Sequence, residues 1–113
     1  MNGAWTARLL LAQRATAGVL AIAVAIHLLT IIYAVRAGLH AGEILGRTRG
    51  NALFLFFYSV FVFAAAIHAP IGLRNVFREW ANWRGRSLDI AMILFSLVLL
   101  ALGLRAAFAV YAA

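Results

Sequence analysis

The sequence predicts an all-α membrane protein, three transmembrane helices in an up-down-up bundle that forms one domain over residues 1–113. Three observations carry this. Hydrophobic residues make up 66% of the chain and charged residues only 12%, whereas an ordinary soluble domain is roughly 25% charged. The apolar residues fall into three runs of membrane-spanning length, and the arginines stand at the edges of those runs. A soluble domain of this size buries only about two-thirds of the surface its unfolded chain exposes, so the apolar excess must face lipid.

The helices are expected at about 8–36, 51–80 and 87–111. Within the first, Ala15 to Val35 lies between Arg14 and Arg36 and is long enough to cross roughly 30 Å of hydrocarbon at about 1.5 Å per residue. Ala37 to Gly50 follows with four glycines, His40, Glu43, Arg47 and Arg49; it reads as a polar connection with room for one surface turn of helix. The second span, Asn51 to about Leu73, holds the only proline, Pro70, which removes a backbone donor and predicts a kink. Arg74, Arg78, Glu79, Trp80 and Trp83 continue it into the headgroup layer, where Trp and Arg are favoured. The third span is Leu88 to about Leu104, with Ser87 as its predicted N-cap and Asp89 in its first turn.

The net charge of +7 comes from ten arginines, without lysine, against Glu43, Glu79 and Asp89. Because these arginines terminate apolar runs, the charge sets membrane topology and does not mark a nucleic-acid surface. An N-terminus on the cytoplasmic side places six arginines inside (Arg8, Arg14, Arg74, Arg78, Arg84, Arg86) and four outside (Arg36, Arg47, Arg49, Arg105). That bias predicts a cytoplasmic N-terminus, and the chain is expected to be a multi-pass protein of a bacterial inner membrane. The first run is followed by two similar ones and by no small-residue cleavage site, so it is expected to be a span and not a signal peptide. The absence of cysteine rules out a thiolate iron–sulfur cluster and covalent haem attachment in this chain.

An imidazole inside a bilayer needs a partner, which makes His68 and His27 the candidate functional residues. One turn either side of His68 are Ala64 and Gly72, small enough for a flat macrocycle to approach or for a neighbouring helix to pack closely. Haem ligation and interhelical packing are therefore both open for His68. His27 lies thirteen residues after Arg14 and His68 six before Arg74, which separates the two in depth by on the order of 10 Å. They should not share an iron, and His27 is either the ligand of a second haem or a packed polar residue. His40 reads as solvated. Glu79, eleven positions after His68, returns to nearly the same face about 16 Å nearer the cytoplasmic surface. With Arg14, Thr16 and Arg74 it could frame a quinone headgroup; the alternative is an ordinary solvated helix end, with Trp80 and Trp83 in an aromatic belt.

The segment from His68 to Trp80 (HAPIGLRNVFREW) resembles the second-helix signature of the membrane-anchor, cytochrome b, subunits of the succinate dehydrogenase and fumarate reductase family. There a haem-ligating His is followed at the fourth position by Gly, here Gly72, and at the eleventh by an acid, here Glu79. Arg74 resembles the Gly-x-Arg of the larger anchor, and Gln13 to Ala17 (QRATA) resembles the Arg-Ala-Thr-Ala of the smaller one. The resemblance implies haem b, one or two, with His68 as an axial ligand and His27 as ligand of a second haem iron. It places Arg14, Arg74, Thr16, Glu79 and Trp80 near haem propionates or quinone. Where the small anchor has Tyr after the acid this chain has Trp80, whose indole donates a hydrogen bond and cannot accept one.

The resemblance also implies partners: an iron–sulfur subunit, a flavoprotein subunit, and a second anchor or symmetry mate that supplies the other axial histidine. The chain would then be a quinone-reactive anchor of a succinate:quinone oxidoreductase-type complex, not catalytic alone, serving electron transport and the tricarboxylic acid cycle. Two alternatives stay open, a b-type cytochrome anchor of another membrane dehydrogenase and a non-haem structural or transport bundle.

Overall fold

The computed structural model describes residues 3–113. It contains helices α1 (Gly3–Ala37), α2 (Ala41–Thr48), α3 (Ala52–Trp80) and α4 (Arg86–Ala112). Three of them, α1, α3 and α4, are long and apolar enough to cross a membrane, and at most 11% of the most apolar stretch of each is buried within the chain. Large apolar side chains such as Ile22, Leu29, Phe56, Ile93 and Leu102 are left exposed, which is stable only in lipid or against a partner. The three-span all-α fold thus agrees with the sequence.

Helix α3 is the middle of the bundle. It packs on α1 along one side and on α4 along the other, whereas no Cα pair of α1 and α4 comes within 8 Å among the described residues. Both interfaces are antiparallel, as short connections require. Thr16 meets His68 and His27 meets Tyr58 across α1 and α3, while Asp89 meets Arg74 and Ser96 meets Ala66 across α4 and α3.

At 35 residues, α1 is about 52 Å long, matching the molecule's longest extent of 50 Å. It begins five residues before the expected position 8, since neither Pro nor a turn-forming cluster interrupts residues 3–8. Its length exceeds the roughly 30 Å of hydrocarbon a span must cross. The polar connection is ordered as two turns, α2, which packs against all three spans. Glu43 pairs with Arg47 along it, and the Arg47 guanidinium lies 5.0 Å above the Tyr33 ring.

Asn51 caps α3, its side-chain oxygen accepting from the N–H groups of Leu53 and Phe54. Ser87 does not cap α4 as expected. Gly85 is the N-cap at φ +94, a left-handed conformation that favours glycine, and the Ser87 hydroxyl instead accepts from the Trp83 indole at 2.9 Å.

Pro70 does not end α3, which runs on to Trp80. A proline lacks the N–H that would bond the carbonyl four residues earlier, here that of Ala66. The Ser96 hydroxyl of α4 donates to that carbonyl at 2.6 Å. A neighbouring helix thereby satisfies the group that Pro70 frees, as hydrocarbon demands. Seven residues beyond Ser96, Gly103 permits a close approach of the two helices: a Cβ there would lie 2.5 Å from Val62 Cγ1.

Candidate functional site

His68 is half-buried on the side of α3 that faces α1, and its Nδ1 lies 3.3 Å from the Thr16 hydroxyl. A proton count favours one direction for that bond. A threonine hydroxyl has one proton, and Thr16 spends it on the carbonyl of Ala12 at 2.7 Å, with that of Gln13 at 3.1 Å. With that proton so engaged, the hydroxyl oxygen can accept from His68 Nδ1–H, the arrangement that leaves the lone pair on Nε2. This is the tautomer of an imidazole oriented from behind for ligation through Nε2.

The small residues around His68 serve α1. Ala64 is buried, and a Cβ on Gly72 would come 3.2 Å from Gln13 Nε2. The room at Gly72 is thus taken by the Gln13 side chain, whose Oε1 is buried without a hydrogen-bond partner. Gln13 borders a small hollow of about 180 Å³ with Ile71, Asn75 and Arg78.

His27 is also half-buried, but in different surroundings. Tyr58 and Phe61 meet its ring edge-on at centroid distances of 5.8 and 5.6 Å, and the Tyr58 hydroxyl lies 3.5 Å from Nδ1. These residues border an open pocket of about 360 Å³ that is also lined by Ile44 and Thr48 of α2 and by Gly103 and Ala107 of α4. His27 therefore has an interhelical partner of the kind an intramembrane imidazole needs without any metal. Because Thr16 stands beside His68 and Tyr58 beside His27, the two imidazoles differ in depth by ten or eleven residues, about 15 Å. One iron cannot take both from the same chain.

The remaining candidates do not converge. Arg74 turns toward α4, where its Nε donates to Asp89 Oδ1 at 2.8 Å. Arg14 and Glu79 are exposed, Trp80 is 85% exposed, and Thr16 is engaged with His68. His40 is exposed in the connection before α2. Tyr58 and Ser96 were not singled out from the sequence, and Gln13 and Asp89 were named there without a role at the site.

Comparison with protein-family models, with curated proteins and with solved structures finds no match. Membership of a family is not shown.

Among the described residues no three His, Cys, Asp or Glu side chains gather. A haem axial position asks for one imidazole per face, and His68 fits that demand: a half-buried ring with Nδ1 turned to Thr16 and no hydrogen bond at Nε2 among the described residues.

Proposed function

We propose that this chain is a haem b-binding, quinone-reactive membrane anchor of a succinate:quinone oxidoreductase-type complex. The observation that carries it is the Thr16 to His68 contact, because it joins the two segments that resemble the anchor subunits, QRATA on α1 and HAPIGLRNVFREW on α3, through Nδ1 and not Nε2. His68 would hold the iron, and a second anchor or a symmetry mate would supply the opposite imidazole. Bound haem would carry single electrons. Thr16 would keep the imidazole's orientation and tautomer.

Quinone would bind where the anchors meet an iron–sulfur subunit, at the arginine-rich end. A quinone headgroup needs hydrogen-bond donors at its carbonyls and, once reduced, acceptors for its hydroxyls. Arg14, Arg74, Glu79 and Trp80 remain the residues the resemblance nominates there, and the unpartnered Gln13 Oε1 adds an acceptor. Since α1 and α4 flank α3 without closing around it, one long side of α3 stays open, as a subunit sharing a cofactor with a partner requires. For His27 the packing role gains from its Tyr58 and Phe61 contacts, and a second haem remains the competing assignment.

A pyridine-haemochrome spectrum and mass spectrometry of the complex purified through this chain test the proposal together. Haem b with copurifying flavoprotein and iron–sulfur subunits is the expected result. Haem with a different dehydrogenase would favour another cytochrome anchor, and a colourless preparation would favour a structural bundle.

A further inference from the structure

The arginine-rich end carries a second feature, independent of haem and quinone. A hollow of about 720 Å³ beside the start of α4 is lined by Arg74, Arg78, Arg84 and Arg86, with Asp89 as its single carboxylate. Four guanidinium groups against one carboxylate give a local charge of +3 (4 − 1). Asp89 is already paired with Arg74, and no salt bridge among the described residues engages Arg78, Arg84 or Arg86. Arg84 is directed by its 3.2 Å bond to Asn82.

The hollow continues into an apolar groove of about 410 Å³ that runs down into the membrane. The two share Arg74, Asp89 and Ile93, and the groove floor is Ala66, Ile67, Pro70, Ile71 and Met92. Cationic groups at headgroup level above a continuous apolar channel match one class of molecule, an anion with a hydrocarbon tail. Arginine also suits phosphate in particular, because its planar fork pairs with two phosphate oxygens.

We infer that this chain binds an anionic phospholipid at the Arg78, Arg84 and Arg86 hollow, with its phosphate among those guanidinium groups and an acyl chain along the groove over Pro70 and Ile93. A zwitterionic lipid would bring its own cation into a +3 hollow and is disfavoured. Free phosphate would lack the groove contacts.

The test is native mass spectrometry of the full chain released from nanodiscs of equimolar dioleoylphosphatidylcholine and dioleoylphosphatidylglycerol. Retention of phosphatidylglycerol, at least about ten-fold over the equally long phosphatidylcholine, is expected. The triple variant Arg78→Gln/Arg84→Gln/Arg86→Gln should abolish that preference and retain the two lipids about equally, since each arginine at an anionic headgroup contributes comparably. Arg49→Gln/Arg105→Gln, which removes charge at the opposite end, should keep it. Ile93→Trp, which obstructs the groove and leaves every arginine in place, should also weaken retention, so the outcome does not hang on the triple variant folding. Equal retention of the two lipids, equal loss in the opposite-end variant, or displacement by millimolar inorganic phosphate alone would overturn the inference.

Discussion

Removing the Ser96 hydroxyl should expose what Pro70 does to α3. In Ser96→Ala the Ala66 carbonyl loses the donor that stands 2.6 Å away, and Pro70 cannot replace it because it has no N–H. Interhelical hydrogen bonds in membranes average only about 0.6 kcal/mol, since a lost partner is usually replaced. Here no local replacement exists, so the cost should approach that of an unsatisfied buried acceptor, about 1–3 kcal/mol. In the Pro70→Ala background the new N–H of residue 70 can bond the same carbonyl, and Ser96→Ala should then cost no more than about 0.6 kcal/mol. The double-mutant cycle, measured by reversible unfolding in mixed micelles, should thus show a coupling of about 0.4–3 kcal/mol between positions that share the Ala66 carbonyl. Equal costs of Ser96→Ala in the two backgrounds would refute the idea that Ser96 substitutes for the missing helix bond.

Three further outcomes are expected. Gly103→Ala should destabilise the α3–α4 contact by about 1–3 kcal/mol, because the new methyl would lie 2.5 and 2.8 Å from the two Val62 methyls; Val62→Ala should recover part of the loss in the same unfolding assay. Thr16→Val should weaken haem retention by about ten- to a hundred-fold and shift the haem midpoint potential, whereas Thr16→Ser, which keeps the hydroxyl, should restore both. A topology reporter within residues 81–85 should be cytoplasmic and one after Ala113 external; the reverse result would turn the arginine-rich end away from any cytoplasmic electron donor.

The three spans were legible in the sequence because hydrophobic length and arginine placement are one-dimensional signals. The faces were not. Each span is apolar nearly all round, so periodicity does not say which side meets a neighbour. That is why Gly72 leaves both a macrocycle and a packed neighbour open in the sequence, where the structure puts Gln13 of α1 against it. It is also why Arg74 was grouped with Arg14 and Thr16, when it points to Asp89 on the opposite flank of α3. The depth separation of His27 and His68 was readable from their distances to flanking arginines, and it came out larger because α1 and α3 pair with Thr16 opposite His68. The hydroxyl that sets the His68 tautomer lay in a recognised motif, but its role needed the contact itself. Pro70 was expected to kink α3; what could not be read was the serine thirty residues away that takes over its missing hydrogen bond.

The central claim is that His68 holds haem iron through Nε2, and the haem-to-protein ratio and visible spectrum of the purified His68→Ala assembly test it most directly. Loss of the haem signal is predicted, with His40→Ala as an unaffected control, since His40 lies exposed in the connection before α2. An unchanged ratio and an unchanged Soret band in His68→Ala would contradict it.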